Sequence, residues 1–313
     1  MTDTTTHNTN WEHSVLEKTL LASIQEQRRA RRWGIFFKLV FLSLFVFIIY
    51  TAFSGGASHK PLIAHTAVIN IDGVIDSEVN NAKLINEGIR AAFEEKQAQG
   101  IILYLNSPGG SPVQSGEVFD EIWRLRNLHP EKKVYAVMSD VCASGCYYIA
   151  AAAHEIYANQ ASLVGSIGVL FDGFGFVDTL NKIGAQRRLY TAGQYKGFMD
   201  PFSPTTPETT SFLQTMLDDV HQQFIAVVKQ GRGDRLKQND LLFSGLAWTG
   251  HQAMDLGLVD GIGSADYVAR EIIGAETLVD YTTQPDLLSR LSQRMGASVA
   301  HALRSEAYTP QMQ

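Results

Sequence analysis

Residues 100–128 read GIILYLNSPGGSPVQSGEVFDEIWRLRNL. The apolar run at 100–105 has the length of a buried strand, and the loop that follows it is rich in glycine. In residues 113–128, apolar side chains then recur at the spacing of one helix face, as Val118 and Ile122 illustrate. This stretch therefore predicts a strand, a tight loop and a helix in direct succession.

The sequence on either side repeats this alternation. Short apolar runs at 66–71 and 133–138 predict two more strands, and residues 81–99 carry apolar side chains at helical spacing. Strands that alternate with helices are typical of α/β domains with a largely parallel sheet, where ligands bind beyond the carboxyl ends of the strands. We therefore expect an α/β domain over residues 64–280, with its site in the loops that follow these strands.

The composition excludes several classes of protein. Of the 313 residues, 45% are hydrophobic and 19% are charged, which excludes a disordered, collagen-like or coiled-coil chain. The formal net charge of -6 gives no electrostatic reason to bind nucleic acid, so no nucleic-acid partner is expected. The two cysteines, Cys142 and Cys146, are too few for a disulfide framework and lack the further ligands of a zinc site.

Residues 34–53, GIFFKLVFLSLFVFIIYTAF, form an apolar stretch with a single charge at Lys38. Twenty helical residues span about 30 Å, the hydrocarbon thickness of a bilayer. A cleaved signal peptide is the alternative, but residues 1–33 are long for the charged region of such a peptide, and residues 54–58 form only a loose cleavage site. The sequence therefore predicts one transmembrane helix over residues 34–53.

The basic residues around this helix are unevenly distributed. Only Lys60 lies shortly after it, whereas five basic residues precede or enter it: Arg28, Arg29, Arg31, Arg32 and Lys38. The positive-inside rule therefore places residues 1–33 in the cytoplasm and everything after residue 53 outside. We expect a single-pass protein of the bacterial inner membrane with a periplasmic or otherwise extracytoplasmic domain, a linker over 54–63 and a C-terminal helical extension over 281–313.

Two loops after predicted strands carry candidate catalytic groups. In residues 106–111, NSPGGS, the adjacent Gly109 and Gly110 leave amide groups open to close approach, as an oxyanion hole requires. The same residues are also typical of an ordinary turn. In residues 139–153, Ser144 stands among small residues before a helix-compatible run, where its interpretation as a nucleophile competes with that of a helix N-cap.

A serine nucleophile needs a base. The histidines that follow Ser144 have no neighbouring sequence that marks them as catalytic, so a serine–histidine–aspartate triad is unsupported; they are His154, His221, His251 and His301. Lys196 lies in a loop rich in glycine and proline and flanked by aromatic residues, where desolvation would disfavour its charged form. A solvated surface lysine is the alternative.

Five motifs occur in order along the chain, at residues 106–111, 143–148, 164–169, 195–197 and 243–260. Together they resemble the short form of the signal peptide peptidase A (SppA) family, and the similarity covers residues 64–275. The resemblance implies a fold similar to that of the Clp protease and crotonase superfamily, built of repeated ββα units. It also implies a ring- or dome-shaped homo-oligomer that needs no metal and no cofactor.

The resemblance implies a role for each matching residue. Ser144 matches the family's nucleophile and Lys196 its general base. Gly110 and Gly145 match positions whose N–H groups hold the oxyanion. Gly109 is the less favoured alternative to Gly110. Ser166 matches a serine that hydrogen-bonds the lysine amine, although a serine in a tight turn has an equally good structural use.

The resemblance further implies a membrane-anchored serine endopeptidase that degrades remnant signal peptides and similar apolar peptides. One alternative is a related membrane-bound serine–lysine protease that trims membrane proteins or misfolded chains. A non-catalytic scaffold of the same fold, or an acyl-thioester binder of the crotonase type, is another, but neither needs both Ser144 and Lys196. The expected partners are peptide substrates, the membrane and further copies of the chain.

One position departs from the family's pattern. The family commonly has a second glycine after the Ser-Gly pair, where this chain has Cys146. The favoured interpretation of Cys142 and Cys146 is a pair of small, buried helix residues. A disulfide between them is the alternative, because the predicted compartment is oxidising. Two cysteines on one helix face would, however, hold their Cα atoms near the upper limit for such a bond.

Overall fold

A computed structural model describes residues 6–54, 63–77 and 81–284 of the chain. The chain divides into two compact units, residues 1–59 and residues 60–313. The first unit carries the apolar stretch, and the second carries all five motifs, so the two are described separately.

The first unit consists of one long helix, α1, Thr6–Ser54. Within α1, Val15–Tyr50 is long and apolar enough to cross a membrane, and none of its most apolar window is buried. It is the one such helix in the described part of the chain, which agrees with the predicted single apolar helix. No break in α1 marks the predicted boundary at residue 34. Most of the predicted linker, 54–63, and most of the predicted extension, 281–313, lie outside the described residues.

The second unit is built on a mixed sheet of eight strands. The strands are β1 His65–Asp72, β2 Ala98–Ser107, β3 Lys133–Ala143, β4 Glu155–Ala158, β5 Leu163–Gly165, β6 Ala247–Thr249, β7 Gly261–Ile262 and β8 Leu278–Asp280. Their order is β6-β5-β3-β2-β1-β8, and β4 pairs with β3 and β7. Among the described strands, β5 and β6 pair antiparallel and every other pair is parallel. The three predicted strands lie within β1, β2 and β3.

Helices connect most of the strands of this unit. They are α2 Ala82–Glu94, α3 Pro112–Leu128, α4 Gly145–Ala150, α5 Val177–Lys182, α6 Pro207–Arg232, α7 Gly250–Asp255 and α8 Ala265–Tyr267, with a π-helical turn, Val268–Ile273, after α8. The predicted helix at 113–128 is α3. It starts there because the Ser111 side chain accepts a hydrogen bond from the Gln114 amide, and Pro112 follows at the first helical position.

The predicted helix at 81–99 ends earlier than expected, at Glu94. A helix end leaves backbone carbonyl groups without partners, and the buried ammonium of Lys132 donates hydrogen bonds of 2.6 to 3.1 Å to three of them, those of Ala92, Phe93 and Glu95. Lys132 thereby ends α2 and lets the chain enter β2 at Ala98. The predicted boundary was wrong by five residues because a side chain distant in sequence sets it.

Strand β3 changes its partner along its length. Residues 135–138 pair with β4, whereas residues 141–143 pair with β5. Strands β4 and β5 follow each other in the chain without a helix between them, and α5 comes next. The divergence of β4 from β5 opens the sheet at the carboxyl end of β3, where Ser144 begins the turn into α4.

Hydrophobic clusters lie on both faces of the sheet. The larger one joins the strands to helices α2, α3, α4 and α6, through residues such as Ile69, Ile89, Ile122, Ile149 and Phe224. The smaller one packs Val68, Ile102 and Val137 against Val268 and Ala269. Helices cover both faces of a mainly parallel sheet, so the α/β fold class is confirmed.

A buried ion pair holds the end of α6. The Arg232 guanidinium, whose side chain is 1% exposed, donates hydrogen bonds of 2.7 and 2.8 Å to the two carboxylate oxygens of Asp260. Burial by itself would raise the pKa of Asp260, but the hydrogen bonds and charge of Arg232 outweigh it and hold this pKa below its usual value. The pair joins α6 to the chain segment that enters β7.

Candidate active site

Ser144 occupies a strained turn between β3 and α4. Its φ of 53° lies in the region that residues other than glycine rarely adopt. Two backbone hydrogen bonds hold it, from the Ser144 amide to the Gly165 carbonyl at 2.8 Å and from the Tyr148 amide to the Ser144 carbonyl at 3.0 Å. Ser144 occupies the N-cap position of α4, as the alternative interpretation expected, but its side chain makes no capping hydrogen bond.

The two adjacent glycines lie where a side chain would not fit. A Cβ on Gly110 would stand 2.0 Å from the Ile75 carbonyl oxygen, and one on Gly109 would stand 2.7 Å from the Ala143 carbonyl oxygen. Both glycines have positive φ values. The amide of Gly109 donates to Ser107 Oγ at 3.1 Å, so it is already engaged. This geometry favours Gly110 over Gly109 as the residue whose amide is open to a ligand.

Gly145 and Gly110 approach each other beside Ser144. A Cβ built on Gly145 would lie 3.2 Å from the Gly110 nitrogen and 2.5 Å from Ser115 Oγ. Gly145 is the first residue of α4, so its N–H has no acceptor within the helix. The glycine-rich loop and the start of α4 thus bring two amide-bearing residues to the serine.

Ser166 follows β5 in a second strained turn, with a φ of 48°. Its amide donates to the Leu246 carbonyl at 2.9 Å, and its hydroxyl donates to the Gly245 carbonyl at 3.2 Å. The serine therefore has the structural use that its turn suggested. It also lines the same cavity as Ser144.

A cavity of about 730 Å³ joins these groups. Four of the residues singled out in the sequence line it: Gly110, Ser144, Gly145 and Ser166. Apolar and polar side chains complete the wall, among them Val113, Val169, Leu170, His221 and Phe224. His221 and Phe224 belong to α6. The sequence did not predict that they line the cavity, because apolar spacing predicts a helix face but not which part of that face borders a cavity.

Lys196 stands apart from this cavity in a single chain. Its side chain is exposed in the turn at residues 193–200, and it is not among the residues that line the cavity. The expected desolvation of Lys196 is therefore absent in one copy of the chain. Of the aromatic residues in this loop, Tyr195 is 56% exposed and Phe202 is 37% exposed, whereas Phe198 is half-buried.

The histidines do not supply a base to Ser144 within the described residues. His221 lines the cavity, but its Nε2 lies 3.2 Å from the Ile167 carbonyl. His154 accepts a hydrogen bond from the Val134 amide, and burial followed by the charge of Arg126 lowers the pKa of His154 to about 4. His251 lies 3.7 Å from Asp255, and His301 falls outside the described residues.

The two cysteines form a disulfide, and their Cα atoms are 5.1 Å apart. The favoured interpretation, a pair of small, buried helix residues, was right about their burial but wrong about the helix for Cys142 and about the absence of a bond. Cys142 belongs to β3 and Cys146 to α4, so the two do not share a helix face. The sharp turn between strand and helix brings them within the usual Cα distance for a disulfide. Both side chains are fully buried.

Comparison with known proteins assigns the chain to a family. A family model described as peptidase family S49 matches residues 126–278. A protein of Synechocystis named as a protease is 33% identical over 200 residues, which cover 64% of this chain and 70% of that protein. The chain belongs to peptidase family S49. Four of the five motifs lie within the S49 match, and the loop at 106–111 precedes it.

Two further relatives carry different names. A protein of Enterococcus faecium named as signal peptide peptidase SppA is 28% identical over 237 residues, which cover 72% of this chain and 67% of that protein. A protein of Brucella abortus named Na(+)/H(+) antiporter NhaA is 45% identical over 186 residues, which cover 59% of this chain and 25% of that protein. This chain thus spans about a quarter of the Brucella relative. The S49 match and the relative named SppA confirm the predicted resemblance to the SppA family.

Proposed function

We propose that this S49 peptidase is a membrane-anchored endopeptidase with Ser144 as nucleophile and Lys196 as general base. The observation that carries the proposal is the turn at Ser144. The positive φ of Ser144 costs energy, and its hydroxyl does not cap α4. Ser144 nevertheless borders a cavity beside Gly110 and Gly145. Backbone strain of this kind persists only where the surrounding structure over-determines it, and it is frequent at active sites.

The proposed reaction uses these groups in a fixed order. Neutral Lys196 removes the proton of Ser144 Oγ as the oxygen attacks a peptide carbonyl carbon. The N–H groups of Gly110 and Gly145 stabilise the oxyanion of the tetrahedral intermediate. The lysine then protonates the leaving amine, and a water that it deprotonates hydrolyses the acyl-enzyme. Ser166 Oγ, which donates to the Gly245 carbonyl, keeps lone pairs with which to accept a hydrogen bond from the lysine amine.

Assembly of several copies would supply the environment that Lys196 lacks in one chain. The segment around it exposes large apolar side chains, with Leu170 at 81%, Phe174 at 77% and Tyr190 at 90%. Large exposed apolar side chains, where they form a patch, mark an interaction site. Covering it with another copy would withdraw the Lys196 loop from water and disfavour the ammonium form. This supports the proposed homo-oligomer.

The proposed substrates are remnant signal peptides and similar apolar peptides. The cavity presents the apolar side chains of Val113, Val169, Leu170 and Phe224 near Ser144. An apolar N-terminal helix would keep the enzyme at the membrane, where such peptides remain after secretion. Trimming of membrane proteins or misfolded chains by the same site is the second candidate. Antiport is not proposed, because this chain spans only about a quarter of the relative that carries that name.

The disulfide supports the proposed orientation. Disulfides persist in oxidising compartments and are rare in the cytosol. A bond between Cys142 and Cys146 therefore fits a domain outside the cytoplasm, as the positive-inside rule predicts from the basic residues before the apolar helix. We propose the bacterial inner membrane, with residues 1–33 cytoplasmic and the peptidase domain periplasmic or otherwise extracytoplasmic.

Three substitutions in the full chain, purified in detergent, test the proposed dyad. Ser144→Ala should abolish cleavage of a synthetic signal peptide, and Lys196→Ala should lower the rate by about 10²- to 10⁴-fold, the range of general-base catalysis. Lys196→Arg should fail as well, because a guanidinium stays protonated. Mass spectrometry of the products measures cleavage, and sedimentation of the same samples reports whether copies assemble.

Lys182→Ala is the matched control, since Lys182 is another exposed lysine in the same region. It should cleave the peptide at the wild-type rate. Near-normal turnover by folded, assembled Lys196→Ala would remove Lys196 from the mechanism and make His221 the next base to test, because it lines the cavity.

A further inference from the structure

We infer that the Cys142–Cys146 disulfide is a positioning pair for the nucleophile: the bond holds the turn that carries Ser144, and the peptidase reaches its full rate only when the bond is formed. This rests on the proposed role of Ser144 as nucleophile. The bond joins residues on either side of the serine, with three residues inside the ring that it closes.

One end of the bond is fixed in the sheet. Cys142 is paired with Ser107 of β2 on one side and with Val164 of β5 on the other. Its backbone therefore belongs to the interior of an eight-stranded sheet. The other end, Cys146, lies in the first turn of α4. The disulfide thus ties the start of a short helix directly to a rigid strand.

The turn between these two ends needs restraint. Ser144 has a φ of 53°, which an ordinary residue keeps only when its surroundings over-determine it. Two backbone hydrogen bonds act on it, and α4 has only six residues with which to anchor its own start. Without the disulfide, the turn can relax toward a less strained conformation. Such a change moves Ser144 Oγ relative to the amides of Gly110 and Gly145.

The rest of α4 has attachments that do not depend on the bond. The Tyr147 hydroxyl donates to the Leu258 carbonyl at 2.7 Å, and the side chains of Tyr147, Ile149 and Ala150 are fully buried. The domain should therefore fold without the disulfide. The effect of losing the bond should be concentrated on the geometry of the turn, which is what distinguishes a positioning pair from a general stabiliser.

Formation of the bond is a thiol–disulfide exchange. The thiols of Cys142 and Cys146 lose two protons and two electrons to a disulfide oxidant, which is reduced to its two thiols, and one S–S bond forms in the chain. A dithiol reductant reverses the exchange. A chain that has not yet met an oxidant is therefore expected to hold Ser144 poorly and to be a slow peptidase.

The test compares the full wild-type chain with Cys142→Ala/Cys146→Ala, both in detergent. A fluorophosphonate probe, which forms a bond to serine Oγ and expels fluoride, measures the reactivity of Ser144 without a peptide substrate. Misplacing a reacting group by about 1 Å costs about 100-fold in rate, so we expect labelling and kcat to fall by about 10- to 100-fold in the double variant. KM should change little, because the cavity wall is untouched.

A second measurement uses the wild-type chain itself. Wild type reduced with dithiothreitol in mild urea, and shown by alkylation to carry two thiols, should label as slowly as the double variant. Reoxidation should restore the wild-type rate, whereas neither treatment should change the double variant. Ile89→Val is the control for stability: it trims a fully buried side chain on α2 and should keep the wild-type labelling rate.

The inference and the function on which it rests fail in different ways. Labelling of the double variant at the wild-type rate, or two free thiols in wild type isolated without reductant, would overturn the positioning role. Labelling of Ser144→Ala, or a wild-type chain that the probe does not label, would instead overturn the proposed nucleophile.

Discussion

Replacing Gly145 with alanine tests whether the amides beside Ser144 act as a pair. The new Cβ would lie 2.5 Å from Ser115 Oγ and 3.2 Å from the Gly110 nitrogen. Ordinary van der Waals contact begins at 3.4 Å, so the first of these contacts must open by about 0.9 Å. Since a displacement of about 1 Å at a reacting centre costs about 100-fold in rate, we expect kcat/KM to fall by about that factor.

Hydrolysis of a quenched fluorescent peptide by the full chain measures this loss. The rate of fluorophosphonate labelling should fall with it, because both reactions place negative charge on an oxygen that the same amides stabilise. Gly145 is absent from the residues with positive φ, so alanine strains no backbone dihedral at this position. The thermal unfolding temperature should therefore change far less than the rate.

A second substitution separates the steric effect from other causes. Ser115 Oγ donates to the Ser111 carbonyl at 2.9 Å, and Ser115→Ala removes the atom that the new Cβ meets first. Ser115→Ala/Gly145→Ala should recover about tenfold of the lost kcat/KM, because only the milder contact with Gly110 remains. Wild-type kcat/KM in Gly145→Ala, or no recovery in the double variant, would refute this reasoning.

Two further predictions concern the ion pair and the anchor. Asp260→Asn should lower the free energy of unfolding by about 3–5 kcal/mol, because it leaves the charge of the buried Arg232 unpaired. Glu271→Gln breaks a half-exposed pair with Arg270 and should lower the free energy of unfolding by less than about 1 kcal/mol. Urea titrations compare the two variants, and equal losses would contradict the burial argument. Folding lowers the pKa of Asp260, so its ionised carboxylate stabilises the fold at every pH above its pKa in the unfolded chain. This stabilisation is lost as pH falls through the pKa of Asp260 in the folded chain. The difference in the free energy of unfolding between wild type and Asp260→Asn should therefore shrink in acid. Carbonate extraction should leave the full chain in the membrane pellet. Protease added to spheroplasts should digest the domain beyond residue 54. Release of a shortened soluble chain would instead indicate a cleaved signal peptide.

Residues near the site show how far local pattern carries a prediction. The apolar run at 100–105 and the helical spacing at 113–128 correspond to β2 and α3 in the structure. The end of α2 was misplaced because Lys132, distant in sequence, binds its last carbonyl groups. The wall that α6 adds to the cavity was missed for a similar reason, since it depends on where a whole helix docks.

The sequence by itself determined the α/β class, the apolar helix and the candidate Ser144, because each depends on a pattern within a few tens of residues. The tertiary structure decided that Ser107 Oγ engages the Gly109 amide, which favours Gly110 as the candidate for the oxyanion hole. It also decided that Cys142 and Cys146 meet across a strand-to-helix turn, and that Lys196 stays in solvent in one chain. These outcomes depend on distances between atoms that only the folded chain brings together.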